Sequence, residues 1–349
     1  MYNSIDEVIN EIKEVLNKKS VISIFAYNGT GKTRITKKME EFNSGEEREY
    51  LYYGSFFTDI MSWNNEQNCI KFNNDNVSDI LTIAIDEGLD GKIVDEFNLM
   101  IGNKNIVPLL DFSNNEFKFK CKDNNEFIKI SKGEEDLFYW SWFSVIIENM
   151  YDNLTENIAV RSNHKYDKIK YIIIDDPVSS LDDSKIITLA VKIADYIKRC
   201  QIKELNIKFI ITTHHTLFYN VIFNELKGKS SFYELQNKQS EYKFEQQKKP
   251  IPYHLYIKKI IDNAIKNDEV YKFHFNMFRN ILEKTAIYFG YDNWKDCIVK
   301  MDSYNEFVRI IGNFSHNDID ELENKKLPKE HRELFTKVYN DFIRKFNFN

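Results

Sequence analysis

A glycine-containing loop is the first segment whose residue types and spacing could do chemistry. It reads Ala26-Tyr-Asn-Gly-Thr-Gly-Lys-Thr33 and follows an apolar run, residues 21–25, that predicts a buried strand. Backbone amides at the start of the next helix, predicted over residues 32–42, would surround phosphate oxygens. Lys32 would reach the β- and γ-phosphates of a nucleoside triphosphate, and Thr33 would bind Mg²⁺. The predicted nucleotide contacts are Asn28, Gly29, Thr30, Gly31, Lys32, Thr33 and Arg34.

Acidic and imidazole groups follow two further apolar runs. Residues 171–174 predict a strand that ends in Asp175 and Asp176. Asp175 would hold Mg²⁺, directly or through water, and Asp176 would polarise the attacking water as general base. Residues 207–213 predict a strand that ends at His214, which could sense the γ-phosphate. Solvated acids and a structural histidine could also follow buried strands, so these segments indicate a nucleotide hydrolase only as a set.

Two more segments resemble parts of ABC-type ATPases. Residues 130–134, Ile-Ser-Lys-Gly-Glu, open a long helix predicted over residues 133–154 and resemble the signature that binds the γ-phosphate held by the other protomer. Residues 179–182, Ser-Ser-Leu-Asp, resemble the loop that crosses the dimer interface. A head-to-tail homodimer is implied, because one chain supplies half of each site. The residues implied to contact nucleotide in this way are Ser131, Lys132, Gly133, Glu134 and Asp182.

The C-terminal third offers a different chemistry. Residues 273–283 predict an amphipathic helix that carries Arg279 and Glu283 away from its apolar face, and His316 follows a later apolar helix. An ordinary surface ion pair explains the first two residues equally well. With His316, however, they would suit metal-independent RNA cleavage: a base removes the proton of the ribose 2′-hydroxyl and an acid protonates the leaving 5′-oxygen. Arg279 would stabilise the charged phosphorane, and the order of base and acid between Glu283 and His316 stays open.

The whole chain resembles the PrrC-type anticodon nucleases, RNA-cleaving proteins with an ABC-like ATPase head. The matching segments keep the family's order from end to end. They are residues 24–34, 51–53, 56–58, 63, 128–135, 171–183, 208–214, 218–226, 253–255, 279–286, 290–291 and 314–316. The family's catalytic triad maps by motif onto Arg279, Glu283 and His316.

The resemblance also implies the biology. It implies cleavage of a tRNA at the wobble position of the anticodon, which leaves a cyclic phosphate and a 5′-hydroxyl, and gating by ATP or GTP with Mg²⁺, with another NTP or a dNTP left open. It implies a role in phage defence, with a restriction-modification complex as silencing partner. Lysine tRNA is only the default substrate, because residues 241–250 lack the aspartate and glycine of the family's recognition segment. The dimer is implied, and higher oligomers stay open.

These sites require an α/β fold in two parts. We expect an ABC-type P-loop NTPase head over residues 1–245, followed by a mainly α-helical nuclease domain over residues 246–349. Residues 230–244 predict a short hairpin at the end of the head. Residues 64–125 are rich in Asn and acids, and we expect a mixed, irregular region there.

Composition excludes other classes of protein. The chain has 349 residues and a net charge of −6, so bulk charge does not indicate nucleic-acid binding. No apolar run approaches the ~18 residues of a membrane span, and the acidic residues 1–16 do not form a signal peptide. The four cysteines are scattered, which favours a reducing cytoplasm.

Two alternatives compete with an anticodon nuclease. One is an ATPase of the DNA-repair and chromosome-maintenance class, but the stretch between Thr33 and Ser131 shows no heptads for the coiled coil of that class. The other is an ATPase that licenses a separate effector and has no nuclease activity of its own.

Overall fold

A computed structural model gives the fold in two compact units, Met1–Pro250 and Ile251–Asn349. The boundary falls after the last strand of the first unit, whereas the predicted boundary at 245/246 falls at the end of that strand. The structure describes residues 2–27, 29–40, 49–54, 61–72, 79–102, 105–111, 114, 116–123, 126–161, 163–178, 180–238, 241–251, 253–299, 301, 304–316 and 327–348. Among these residues, no helix combines the length and apolar character that crossing a membrane requires.

A six-stranded sheet forms the centre of the first unit. Its strands, in their order across the sheet, are β10 Glu241–Gln246, β9 Ser231–Lys238, β1 Val21–Ala26, β8 Lys208–Thr213, β7 Tyr171–Asp175 and β2 Tyr50–Tyr53. All its strands run parallel except β10, which pairs antiparallel with β9 in the predicted hairpin. β1, β7 and β8 are buried almost throughout, as their continuous apolar runs predict.

Helices cover this sheet. The predicted helices at residues 32, 133, 186 and 217 are confirmed, each within a few residues of its expected start. The helix after the glycine loop is described to Glu40, and residues 41–42 of the prediction lie outside the described residues. The helices of this unit are α1 Ile5–Lys18, α2 Lys32–Glu40, α3 Asp79–Asp86, α4 Asp90–Ile101, α5 Lys132–Thr155, α6 Asp183–Ile202 and α7 Thr216–Leu226, with a 3₁₀ turn at Ile158–Val160.

Helix α1 is a feature that the sequence reasoning missed. Ser4 caps it, with its hydroxyl accepting the Glu7 amide, and Val8 and Ile12 on one face are fully buried against the sheet. The acidic residues of this segment occupy the opposite, solvent-facing side. Apolar positions at three- and four-residue spacing were a usable signal.

The expectation of an irregular region over residues 64–125 was wrong. A four-stranded antiparallel sheet, in the order β3-β4-β6-β5, lies there with α3 and α4. Its strands are short and only alternately apolar: in β6, Phe117 and Phe119 are buried while Lys118 between them reaches solvent. Short alternating runs interrupted by Asn-rich turns are a weak sequence signal for strands. The sheet is held by packing of Phe119 onto Phe138 of α5. The strands are β3 Met61–Asn64, β4 Cys69–Phe72, β5 Ile106–Asp111 and β6 Glu116–Cys121.

The second unit is helical, as predicted. Its core is aromatic: Phe278 of α9 contacts the rings of Phe307, Phe335, Tyr339 and Phe342 from two other helices. The helices are α8 Tyr253–Lys266, α9 Lys272–Phe289, α10 Tyr304–His316 and α11 Lys329–Lys345, with a 3₁₀ turn at Trp294–Cys297.

Candidate functional site

The glycine loop connects β1 to α2 through a conformation that few side chains tolerate. Gly29 has φ 79° and Gly31 has φ 103°, both in the region that favours glycine. Thr30 closes a turn by donating both its amide and its hydroxyl to the Tyr27 carbonyl, at 3.2 and 2.6 Å. A Cβ on Gly31 would lie 3.4 Å from Cδ1 of Ile5, so α1 packs against the loop. Asn28 lies outside the described residues.

Lys32 is a buried cation at the first turn of α2. Its ammonium donates to the Ala26 carbonyl at 2.9 Å and lies 3.6 Å from the Asp176 carboxylate. Burial lowers the pKa of Lys32, and the negative charges of Asp176 and Asp175 partly oppose that shift. A buried ammonium beside backbone amides of a helix N-terminus suits phosphate oxygens.

Asp175 ends β7 and is buried. Its carboxylate accepts hydrogen bonds from the hydroxyls of Thr212, Thr36 and Tyr52, the last two at 3.3 and 3.2 Å. Gly54 leaves room for it, because a Cβ there would lie 2.9 Å from Cβ of Asp175. The carboxylate is thereby held beside α2.

Asp176 follows with φ 53°, a backbone conformation that turns it away from the strand path. Its Oδ2 lies 2.5 Å from Nδ1 of His214, and its Oδ1 accepts the His214 amide at 3.2 Å. Burial alone would raise the pKa of Asp176, but the hydrogen bonds and charge of His214 and the charge of Lys32 outweigh it and keep the pKa below its ordinary value. Asp176 is therefore a carboxylate at neutral pH.

These residues fit a nucleotide with a divalent cation. The carboxylate of Asp175 and the hydroxyl of Thr33 are hard oxygen donors, the kind that Mg²⁺ prefers. Thr33 is half-buried at the start of α2, and Arg34 beside it is exposed. The loop, Lys32, Asp175, Asp176 and His214 are brought together at one edge of the sheet, where the parallel strands end.

The signature segment is packed against Ser180 of the crossing loop in the same chain, and Ser179 of that loop lies outside the described residues. A Cβ on Gly133 would lie 2.8 Å from the backbone carbonyl oxygen of Ser180, so only glycine fits there without a shift. Asp136, one turn further along α5, is buried and hydrogen-bonds to Ser180, and burial raises the pKa of its carboxyl. Lys132 pairs with Asp136 at 3.4 Å.

Three predicted nucleotide contacts also cap helices. Ser131 and Glu134 form a reciprocal capping box at the start of α5: the Glu134 amide donates to the Ser131 hydroxyl at 3.3 Å, and the Ser131 amide donates to the Glu134 carboxylate at 2.7 Å. Asp182 caps α6 by accepting the Lys185 amide at 3.0 Å. Hydrogen bonds from Ser184 and Lys185 lower the pKa of Asp182.

The second unit holds the predicted nuclease residues. Arg279 Nε donates to Glu283 Oε1 at 2.8 Å on the outer side of α9, and both side chains are about one third exposed or more, at 35% and 41%. The guanidinium carbon of Arg279 lies 5.7 Å from the centre of the Trp294 ring. His316 is the last residue of α10, and its side chain lies outside the described residues.

Sequence reasoning missed the residues that hold these groups in place. Thr212 and Thr36 were detectable as hydroxyls beside the predicted strand end and loop. Tyr52 and Ser180 lie in segments that the sequence analysis marked, but their contacts with Asp175 and Asp136 were not foreseen, and Trp294 carried no signal. These contacts join segments far apart in the chain.

Comparisons with known proteins agree with this arrangement. The family described as AAA domain matches residues 113–341. An anticodon nuclease from Escherichia coli is 34% identical over 346 residues, which cover 89% of this chain and 85% of that protein.

Solved ATPase heads show remote similarity. An SMC head bound to the C-terminal winged-helix domain of ScpA has a TM-score of 0.36 and 11% identity, over 66% of this chain and 90% of its own. The SMC head domain from Thermotoga maritima has a TM-score of 0.31 and 12% identity, over 65% and 90%. The ATP-binding cassette of an ABC transporter in its ADP conformation has a TM-score of 0.28 and 13% identity, over 70% and 86%.

The glycine loop on β1, the acids on β7 and the parallel sheet define the first unit as a nucleotide-binding P-loop ATPase head of α/β architecture. A helical unit follows that head in the same chain. With its 34% identity over most of both chains, the protein belongs to the anticodon nuclease family.

Proposed function

We propose that this protein is a nucleotide-gated anticodon nuclease. The head binds and hydrolyses ATP or GTP with Mg²⁺, and the helical unit cleaves a tRNA in its anticodon loop. The observation that carries the proposal is the match to an anticodon nuclease over 89% of this chain, which includes both units. Lysine tRNA is the default substrate.

The RNA chemistry is assigned to Arg279, Glu283 and His316. One of Glu283 and His316 removes the proton of the ribose 2′-hydroxyl, and the other protonates the leaving 5′-oxygen, so a cyclic phosphate and a 5′-hydroxyl remain. Arg279 neutralises the phosphorane. The Arg279–Glu283 pair is partly exposed, so a macromolecular substrate can reach it.

The nucleotide chemistry is assigned to the strand ends of the head. Asp176, kept ionised by its surroundings, accepts a proton from the attacking water, and Lys32 balances charge on the phosphates. Because Asp176 engages Nδ1 of His214, Nε2 is the nitrogen that remains to contact a phosphate. Thr33 and Asp175 hold Mg²⁺.

Gating follows from a head-to-tail homodimer. In it, the signature residues Ser131 and Gly133 contact the nucleotide of the partner subunit, and closure changes access to the nuclease residues. The biological role is defence against phage in the cytoplasm, with a restriction-modification complex that silences the nuclease until infection.

The test is cleavage of bacterial tRNA by the purified full chain, with ATP, GTP or neither, followed by sequencing of the fragment ends. We expect cuts confined to one anticodon loop that end in a cyclic phosphate. His316→Ala should abolish them and leave nucleotide hydrolysis intact, whereas Lys32→Ala should abolish nucleotide binding.

Two results would overturn the proposal. Cutting by the His316→Ala variant would remove the site assignment. Intact hydrolysis without cutting, with ATP or GTP present, would favour an ATPase that licenses a separate effector.

A further inference from the structure

An exposed group of large apolar side chains lies at the C-terminal end of helix α9. It consists of Ile287, Tyr288, Phe289 and Tyr291, and we name it the aromatic platform. Their exposed fractions are 72%, 85%, 50% and 38%. Isolated exposed apolar residues are ordinary, but four within five positions form a patch that is typical of a binding surface.

The helix geometry explains why the platform exists. The buried positions of α9 end at Ala286, so its last turn extends beyond the core of the unit. Gly290 then adopts φ 69° and ends the helix, and the Tyr291 amide donates back to the Ala286 carbonyl at 2.9 Å. This return places Tyr291 beside Phe289.

The rings of the platform support one another. Phe289 and Tyr291 stack with centroids 6.1 Å apart and planes at 23°. Phe289 also contacts Tyr288 at 5.2 Å and Phe346 at 5.1 Å. The platform is therefore a pre-formed set of flat faces, and Tyr288 is its most exposed member.

The platform adjoins the Arg279–Glu283 pair through Ile287. Arg279, Glu283 and Ile287 succeed one another at four-residue intervals, so they share one side of α9 and each lies about 6 Å further along its axis. Tyr288 instead follows Lys284 at four-residue spacing on the neighbouring side, about half a turn around the axis from Arg279. A strand that passes Arg279 and then Lys284 would cross the outer surface of α9 and reach Tyr288.

Cations border the platform. Lys284 is exposed on α9, one position after Glu283. Lys345 Nζ lies 5.1 Å from the centre of the Phe346 ring, which contacts Phe289. Lys295 Nζ lies 6.0 Å from the Trp294 ring, the ring that Arg279 also faces. The nearby acids Asp292 and Asp296 reduce the positive charge around the platform. One of them, Asp296, is engaged locally, because its carboxylate accepts the Asn293 amide.

We infer that the aromatic platform stacks unpaired bases of an RNA strand whose backbone runs past Lys284 and Arg279. The inference rests on the proposed nuclease function and extends it to a second contact on the same helix. Bases of single-stranded RNA stack on exposed aromatic faces while cations track the phosphates, with little preference for sequence. Aromatic faces also occur in contacts between protein copies, but lysine is depleted there, and the lysines that border the platform favour an RNA strand.

Tyr288 gives the sharpest test, because its side chain is almost fully exposed and contributes little to folding. We would measure binding of a labelled single-stranded oligoadenylate to the full chain by fluorescence anisotropy, in a Glu283→Gln background that prevents cleavage. Tyr288→Ala should weaken binding by roughly 5- to 150-fold, the range for loss of one stacked base. Tyr288→Phe should bind like the parent, and a duplex of the same RNA should compete poorly.

Ile202→Ala removes an exposed apolar side chain from the head, 72% exposed against 85% for Tyr288, and should leave RNA binding unchanged. Wild-type binding by Tyr288→Ala would overturn the inference. So would a change in oligomeric state by sedimentation with RNA binding intact, which would assign the platform to self-association. In both cases tRNA cleavage by the unmutated chain would still support the proposed function, so the two ideas can fail separately.

Discussion

The carboxylate of Asp176 and the imidazole of His214 lie 2.5 Å apart although they are 38 positions apart in the chain. They meet because β7 and β8 are neighbouring parallel strands whose carboxyl ends reach the same edge of the sheet. The contact holds Asp176 as a carboxylate and orients the histidine, and Lys32 approaches the same oxygen from the glycine loop.

Replacing Asp176 by Asn should stop hydrolysis without preventing nucleotide binding. The amide keeps the shape but cannot accept the proton of water, so we expect kcat for ATP or GTP to fall about 10²- to 10⁴-fold. Steady-state phosphate release and equilibrium nucleotide binding would measure the two effects. Asp195→Asn, an exposed acid of α6 that pairs with Lys198 at 3.5 Å, is the matched control. An unchanged kcat in Asp176→Asn would exclude it as the base.

Adding a methyl group at Gly133 should destabilise the head. Its Cβ would lie 2.8 Å from the Ser180 carbonyl oxygen, so the start of α5 or the crossing loop must shift. We expect the free energy of unfolding to fall by about 1–3 kcal/mol in urea titrations. Gly91→Ala in α4 is the control: a Cβ at Gly91 would have no atom within 4 Å, so this variant should not be destabilised. Equal stability of both variants would contradict the packing described.

Acid should loosen helix α9 through His274. Burial lowers the pKa of His274 from 6.5 to about 4, and its Nδ1 accepts the Tyr271 amide at 2.9 Å. Between these pH values the unfolded chain binds the proton more readily than the folded one. The stabilisation is therefore complete above pH 6.5 and decreases toward pH 4, by up to about 3 kcal/mol.

Hydrogen exchange of α9 at matched pH would measure this effect. Protection should fall with acid in the wild-type chain and fall less in His274→Asn, whose amide oxygen can still accept the Tyr271 amide and does not titrate. Identical acid sensitivity of the two chains would show that another group is responsible.

Glu283→Gln should abolish tRNA cleavage and leave folding intact. The lost ion pair is partly exposed, with side chains at 35% and 41%, so it contributes at most about 1 kcal/mol to stability. Loss of the acid or base should slow cleavage about 10²- to 10⁴-fold, while hydrolysis by the head continues. Glu333→Gln removes the acid of another i,i+4 pair, with Lys329 on α11, and should cleave like the wild type. Normal cleavage by Glu283→Gln would show that the Arg279–Glu283 pair is only a surface ion pair without a catalytic role.

Local pattern was enough to predict the central strands and several helices of the head, and which residues stand at their ends. The glycine loop, the strands that end at Asp175 and His214, and the capped helix after Ser131 are each encoded within a few neighbouring residues. Their chemistry follows from residue type and from the position at a strand or helix end. The apolar and charged sides of α9 are likewise a property of helical periodicity alone.

Tertiary structure decided what those residues touch. The order β1-β8-β7 brings His214 to Asp176, and the approach of α5 to the crossing loop makes Gly133 obligatory. The sheet at residues 61–121 and the packing of α1 on the glycine loop went unpredicted for the same reason. Short alternating strands and amphipathic helices gain their stability from surfaces contributed by distant segments, so their free energy of formation cannot be judged from their own residues.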